Sequence, residues 1–353
     1  MVLNIRFLIK AISKARPVAL ASLCFFVLYA CDSKPESQVY QLEGHTMGTT
    51  YHITAVVGPH VVVAESALQM QVDKLLENVN QVMSTYIPDS ELSMLNQVEH
   101  QQPTIVSQAL FDILALSEQI SILSDSAFDV TVGPLVNLWG FGPQEREQLQ
   151  PDDAQLAEVK KRVGFQFIRL DAQRRQVTKF KPVTIDLSAI AKGYGADAIA
   201  ELFHSLNIND YMIELGGELA VSGHNPAGVL WRIGIEQPTL TQTGVVEAIS
   251  AEKAGIATSG DYRNYIEIDG QRFSHTIDPH TGKPVTHKLA SVTVVAPSAA
   301  EADGLATALT VLGPEKAYQL SVNEGLAAFF IMHSGDTFIT KASPQFEQYR
   351  VKM

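Results

Sequence analysis

VTIDLSAIAKGYGADAIAELFHSLNINDYMIELGGELAVSG, residues Val183–Gly223, reads as a buried apolar strand, a helix, and then a strand that ends in Gly216-Gly217. A doubly wound sheet needs a further helix between successive strands, whereas a pair of glycines between Glu214 and Glu218 reads as a tight hairpin. Working outward, the same texture continues. Short β-rich runs occur at Phe167–Leu170, Leu230–Glu236, Tyr265–Ile268 and Ala290–Val295, with helices at Ile190–Ser205, Ala299–Leu312 and Glu315–Val322. On the N-terminal side Tyr51–Val57 alternates as a strand, and Ala64–Met83 repeats apolar residues at helical spacing. Gln108–Leu123 and Asp153–Val163 read as two more helices. Strands in hairpin succession beside segregated helices predict an α+β protein with mixed or antiparallel sheets. There is no internal repeat, coiled coil or low-complexity tract.

The first thirty residues are of another kind. Arg6, Lys10, Lys14 and Arg16 precede an apolar run, VALASLCFFVLYA (Val18–Ala30), that ends at Cys31. A basic head and a short apolar run form an export-signal pattern, and the run is shorter than the roughly 20 residues that span a bilayer. Leu28-Tyr29-Ala30-Cys31 resembles the bacterial lipobox, apart from Tyr29 where a small residue is usual. The expected division is a signal peptide over residues 1–30, a lipidated Cys31 with a solvated tether over residues 31–39, and a folded domain over residues 40–353. Asp32 resembles the signal that retains some lipoproteins on the inner membrane. The alternatives are an ordinary signal peptide and an uncleaved N-terminal anchor.

The 353 residues are 46% hydrophobic and 18% charged, enough for one large core or two modest ones. With 26 basic and 38 acidic residues the formal charge is −12, and loss of the four signal cations moves it to −16. Such a body repels nucleic acid and anionic lipid, so a phosphate-bearing ligand must be held by local features. Cys24 would leave with the signal and Cys31 would be acylated, which leaves neither a free thiol nor a disulfide.

Three segments carry chemistry. In ASVTVVAPSAAEADGLATALTVLG (Ala290–Gly313), Ser298 and Glu301 form a capping-box pattern, so a helix starts directly after a strand. Asp303 and Thr307 lie four apart on one face of that helix. Two oxygen donors so placed suit a hard divalent cation; alternatively, Asp303 only favours the helix N-terminus. In the opening stretch, a helix start at about Ser188 with Asp186 before it and Lys192 after it offers N–H groups and a cation to a diphosphate. Gly193 and Gly195 in its first turns predict close packing against the backbone, and a plain capped helix is the competing reading. In RFSHTIDPHTGKPV (Arg272–Val285), Asp278-Pro279 and Thr281-Gly282 form a loop, and His275 before it could act as a base or ligand. His275, Asp278, His280 and His287 could alternatively form a transition-metal site, although their spacing matches no common zinc pattern.

Eight pieces of the chain stand in the order found in the ApbE-type flavin transferases, a family of exported bacterial enzymes that this sequence resembles closely. They are HTMGTTY (His45–Tyr51), MSTYIPDSELSMLN (Met83–Asn96), AFDVTVGPLVNLWGFG (Ala127–Gly142), IDLSAIAKGYGAD (Ile185–Asp197), ELGGE (Glu214–Glu218), ATSGDY (Ala257–Tyr262), SHTIDPHTGKPV (Ser274–Val285) and EADGLATAL (Glu301–Leu309). The resemblance implies an ApbE-like, T-fold-related architecture. It also implies FAD as substrate, Mg²⁺ as metal, and transfer of FMN to a threonine or serine hydroxyl of an acceptor protein with release of AMP. Met47, Tyr86, Ala127, Phe128, Asp129, Asp186, Lys192, His275, Thr276 and Ile277 would contact FAD. The Ala189 carbonyl, Asp303 and Thr307 would hold the metal, and His275 would serve as the base. The implied acceptors are flavoprotein subunits of membrane redox pumps, such as the sodium-pumping NADH:quinone oxidoreductase. The enzyme would meet them on the periplasmic face of the inner membrane, with no nucleic-acid partner. A Mg²⁺-dependent FAD pyrophosphatase and a non-catalytic flavin-binding lipoprotein are the rival readings.

Overall fold

The alternation in Tyr51–Val57 sends Tyr51, Ile53, Ala55 and Val57 into the core and leaves the residues between them less buried. The same rule builds a sheet around it. The computed structural model describes residues 37–142, 150–238, 244–260, 265–268, 271–335 and 337–351. The signal segment, Cys31, most of the tether, and Asp261 and Tyr262 of the ATSGDY motif lie outside the described residues.

The strands are β1 (Gln38–Thr46), β2 (Thr49–Val57), β3 (Thr104–Ile105), β4 (Ile168–Asp171), β5 (Gln176–Lys179), β6 (Asp210–Leu215), β7 (Glu218–Ser222), β8 (Trp231–Glu236), β9 (Val245–Ala251), β10 (Lys253–Gly260), β11 (Tyr265–Ile268), β12 (Gln271–Ser274), β13 (Ile277–Asp278), β14 (Lys283–Pro284), β15 (Leu289–Ala296), β16 (Ala327–Ser334) and β17 (Thr337–Ala342). The helices are α1 (Glu65–Met83), α2 (Glu91–Gln97), α3 (Gln108–Leu123), α4 (Gly133–Leu138), α5 (Asp153–Lys160), α6 (Ala191–Ser205) and α7 (Ala299–Asn323). Among the described residues an eight-stranded sheet runs in the order β1-β2-β6-β7-β10-β15-β16-β17, with a three-stranded sheet β3-β5-β4 and the ribbons β8-β9, β11-β12 and β13-β14. Every pairing in the large sheet is antiparallel, so the fold is α+β.

Both faces of the large sheet are covered, which is why β15 is buried at all eight positions. On one face Val292, Val294, Ala328 and Phe330 pack with α3 and α7, while Ile53, Ile213 and Leu215 pack with Leu68 and Leu76 of α1 and Ile199 and Phe203 of α6. On the other face Val295, Phe329 and Ile331 pack with Trp231, Ile233 and Ile249 of the β8-β9 ribbon. A smaller cluster of Leu135, Leu138, Trp139, Leu156 and Ile277 joins α4 and α5 to β13.

Three expectations change. The tether expected to run to residue 39 ends earlier, because β1 begins at Gln38 and pairs with Val57. Val183–Leu187, expected as a strand, forms no ladder. Its extended backbone is satisfied by the Asn96 side chain, which donates to the Ile185 carbonyl and accepts from the Ile185 N–H at 2.8 Å each, and by a 2.7 Å bond from the Asp186 N–H to the Val130 carbonyl. The helix expected over Asp153–Val163 stops at Lys160, with Gly164 at φ 146° shortly after it. The two helices expected at Ala299–Leu312 and Glu315–Val322 are both present, run together in α7 and separated by non-helical Gly313 (φ 74°) and Pro314.

The close packing expected at the α6 glycines is present. A Cβ on Gly193 would stand 2.3 Å from the Ala299 carbonyl oxygen and 2.7 Å from the Ala300 Cα, so the N-terminal ends of α6 and α7 touch backbone to backbone. Asp197 fastens the same junction, accepting the Ala299 and Ala300 N–H groups at 2.8 Å each.

Candidate active site

The junction of α6 and α7 opens onto a cleft of about 1030 Å³ lined from six directions: the 127–130 turn, α4 and the residues just after it, the start of α6, strands β7, β8 and β10, the loop around His275–Ile277, and α7. At its floor three charged side chains meet. The Lys192 ammonium lies 2.7 Å from Glu218 Oε1 and 3.7 Å from Asp303 Oδ2. Asp303 Oδ2 also accepts the Gly193 N–H at 3.1 Å, so this carboxylate sits on the N-terminus of α6, where the helix dipole favours negative charge. Glu218 reaches the cluster because Gly216 (φ 62°) and Gly217 (φ 104°) form the two-residue turn of the β6-β7 hairpin, which sets Leu215 opposite Glu218.

Burial and charge act together here. Burial alone would lower the Lys192 pKa, but the Asp303 and Glu218 carboxylates outweigh it and hold the ammonium charged. Burial, then repulsion from Asp303, pushes Glu218 up to about 8 against the pull of Lys192. Burial likewise raises Asp303, opposed by Lys192 and the Gly193 N–H. Glu218 Oε2 is buried and accepts no hydrogen bond.

Thr307 lies one turn beyond Asp303 on the same face, and both line the cleft with Ala189. Thr307 Oγ1 is 3.4 Å from Ser259 Oγ, and Thr258 Oγ1 is 2.8 Å from Thr293 Oγ1, so β10 and β15 add hydroxyls beside the carboxylate. Asp186 lines the cleft but uses Oδ1 on the N–H and hydroxyl of Ser188, at 2.8 and 2.6 Å. Asp129 is more committed. Its Oδ1 accepts from the Thr131 N–H and hydroxyl at 2.7 and 2.6 Å, and its Oδ2 accepts from the Phe165 N–H at 2.8 Å. Burial raises its pKa against these bonds, and its carboxylate shapes the turn that carries Ala127 and Phe128. His275 packs edge-on against Phe141, with ring centroids 6.4 Å apart. Its loop is fastened from below: Trp139 Nε1 donates to the Gly282 carbonyl at 2.8 Å, and Lys160 bonds the His280 carbonyl.

Of the residues expected at the site, Tyr86, Ala127, Phe128, Asp129, Asp186, Ala189, Lys192, His275, Thr276, Ile277, Asp303 and Thr307 all line this cleft. Tyr86 is 66% exposed, which puts it at the mouth. Met47 is not among the lining residues. It borders a separate shallow pocket with His45–Thr50, at φ 49°, and packs between the two helical cores beside Gly195. Lys192, expected to be open to a diphosphate, is clamped between two carboxylates. The alternative histidine metal site does not assemble: His280 turns to Asp278 at 3.3 Å, His287 Nε2 contacts the Thr310 carbonyl at 2.7 Å, and among the described residues no three His, Cys, Asp or Glu converge on one point. Glu218 carried no assigned role in the sequence reading. The available signal was an acidic residue directly after a Gly-Gly turn, with a lysine on the preceding helix.

The chain matches the ApbE family over residues 47–330. It is 43% identical over 326 residues to the FAD:protein FMN transferase of Haemophilus influenzae, covering 91% of this chain and 94% of that one. It is 41% identical over 350 residues to the protein of the same name from Escherichia coli strain K12, covering 96% and 98%. Among solved structures, the flavin transferase ApbE from Vibrio cholerae superposes with a TM-score of 0.82 at 40% identity, over 89% of this chain and 99% of that one. An ApbE protein from Thermotoga maritima keeps a TM-score of 0.80 at 26% identity, over 89% of this chain and all of that one.

Proposed function

Because the chain belongs to the ApbE family, we propose that its transfer of FMN from FAD to protein depends on Mg²⁺ and ends on a threonine or serine hydroxyl, with AMP as the second product. The observation that carries this reading is the meeting of Asp303, Thr307 and Ala189 with Lys192 and His275 in one cleft. The donor set fits the ion: a carboxylate, a hydroxyl and a carbonyl are hard oxygens, and the buried Glu218 Oε2 beside them lacks a hydrogen-bond donor. The Ala189 carbonyl, Asp303 and Thr307 would hold Mg²⁺, which would offset the charge that a diphosphate brings into the cleft.

The chain's own groups account for the rest. Lys192, kept charged by its two carboxylates, offsets their charge at the floor, and the N-terminal end of α6 adds N–H groups toward a diphosphate, while the excess positive charge there would come from Mg²⁺. Phe128 and Ile277 supply apolar wall and exclude water. In the transfer the acceptor oxygen bonds the FMN phosphorus, the diphosphate bridge breaks, and AMP departs with the bridging oxygen. The hydroxyl proton passes to His275, which lines the cleft.

We further propose that Cys31 is lipidated and holds the enzyme on the periplasmic face of the inner membrane, where flavoprotein subunits of sodium-pumping NADH:quinone oxidoreductases and related complexes are its acceptors. The basic head, the apolar run and the Cys31 placement support this. Among the described residues no helix is long and apolar enough to cross a membrane.

The test is incubation of the chain from Asp32 onward with FAD and Mg²⁺, with and without such an acceptor subunit. Denaturation-resistant flavin fluorescence on the acceptor supports transfer. Free FMN and AMP without acceptor would mean hydrolysis, and neither product would sink the enzymatic reading. Asp303→Ala is expected to abolish Mg²⁺-dependent turnover and to weaken Mn²⁺ binding measured by paramagnetic resonance; unchanged binding would refute the metal assignment.

A further inference from the structure

Residues 160–181 hold eight of the chain's 26 basic residues and one of its 38 acidic ones, so a segment of formal charge +7 is set in a chain of −12. The segment folds as one unit: the end of α5, the turn at Gly164, and the β4-β5 hairpin. Lys161, Arg162, Arg169, Arg174, Arg175 and Lys181 are exposed, and Lys181 lies 3.7 Å over the Phe167 ring, which brings it beside the strand that carries Arg169. Among the described residues the ion pairs here are Lys161 with Glu158 and Arg174 with Asp171, which leaves Arg162, Arg169, Arg175 and Lys181 as net charge.

This face adjoins the cleft on two sides. The Phe165 N–H bonds Asp129 in the cleft wall, and the Lys160 side chain packs on Gly282 and bonds the His280 carbonyl below the His275 loop. The chain enters the fold elsewhere. Tyr40 bonds the Val63 carbonyl and the Gln41 N–H bonds Glu65, which sets the start of β1 at the N-terminal end of α1. The basic unit is tied through the Lys179 ammonium to the Asn96 carbonyl, on the α2 side that follows the other end of α1. A 19-residue helix is about 28 Å long, so the start of β1 lies at one end of it and the basic unit is tied to the segment that follows the other.

We propose that the 160–181 face is the docking surface for the acceptor protein, and that it takes an acidic surface flanking the hydroxyl to be modified. The proposal rests on the transferase reading above. Complementary charge next to the cleft raises the rate of productive encounter, and a basic face on an acidic body also orients it. An anionic bilayer is the other partner of suitable charge, and its distance from the chain's entry point disfavours it.

The experiment uses the variant Arg162→Glu/Arg169→Glu/Arg175→Glu/Lys181→Glu, whose residues all lie outside the cleft lining. FAD binding, read by flavin fluorescence, is expected to match wild type, which shows that the variant is folded. For flavinylation of the redox-pump subunit, kcat/KM is expected to fall by about tenfold or more at low salt with kcat retained, and the difference to shrink as salt rises. Fluorescently labelled poly-L-glutamate should bind wild type and not the variant. Equal kcat/KM with the same salt dependence would overturn the proposal. So would loss of binding to phosphatidylglycerol vesicles with transfer unchanged. If wild type flavinylates nothing, the transferase reading fails, while poly-L-glutamate binding still decides whether this face selects an acidic partner.

Discussion

Helix propensity and packing give opposite signs for Gly193→Ala. In an ordinary helix interior, alanine is favoured over glycine by about 1 kcal/mol. At this position the new Cβ would lie 2.3 Å from the Ala299 carbonyl oxygen, 2.5 Å from the Ala299 carbonyl carbon and 2.7 Å from the Ala300 Cα. All three are backbone atoms and cannot rotate away, so the ends of α6 and α7 must separate by about 1 Å to reach ordinary contact. That movement lengthens the 3.1 Å bond from the Gly193 N–H to Asp303. Overpacking costs about 1–3 kcal/mol and a lost bond to a charged acceptor about 1.5–3, so after the propensity gain the loss is about 1.5–5 kcal/mol. Gly195→Ala is the internal control. Its Cβ would meet only side-chain ends, Leu215 Cδ1 at 3.0 Å, Met47 Cε at 3.3 Å and Leu76 Cδ2 at 3.6 Å, so its stability should stay within about 1 kcal/mol of wild type. Thermal unfolding of both variants, with FAD titrated by fluorescence, makes the comparison. Gly193→Ala should melt well below Gly195→Ala and bind Mn²⁺ more weakly. If the two melt together, the backbone contact at Gly193 does not constrain the site.

Other substitutions probe the supports of the same cleft. Asn96→Ala removes both partners of Ile185, a residue with no exposed surface, and should cost about 2–4 kcal/mol in chemical denaturation while raising the KM for FAD through the adjoining Asp186; unchanged stability would mean that water replaces the amide. Asp197 is raised by burial from its ordinary 3.8 to about 6, so the folded state keeps a proton that the unfolded chain has lost. Its contribution is therefore full below pH 3.8 and is lost as pH rises through about 6, a change equivalent to about 3 kcal/mol. Asp197→Asn removes that slope, so the stability difference between wild type and variant should drift in the variant's favour from pH 4 to 6.5; a constant difference would exclude the shift.

Local signals carried the elements that local chemistry determines. Gln108–Leu123 was legible to the residue because Ser107 caps its start and its apolar positions keep helical spacing. The pairing of Asp303 with Thr307 followed from a four-residue step on one helix. What escaped the sequence depends on distant partners. Val183–Leu187 has the apolar residues of a strand, yet its hydrogen bonds go to the side chain of Asn96, 89 residues away from Ile185. Glu218 escaped for the same reason. Its neighbours in sequence are two glycines, and these explain the turn but not what the turn is for. Only when α6 lies against β6 and β7 does the hairpin register put Glu218 within 2.7 Å of Lys192, 26 residues earlier. The two glycines thus act at a distance from the chemistry. Both hold positive φ, where L side chains are strained, and a Cβ on Gly216 would stand 2.7 Å from Thr49 Cγ2. A substitution there would move the carboxylate that keeps Lys192 charged, so the turn belongs to the active site although neither glycine carries a reactive atom.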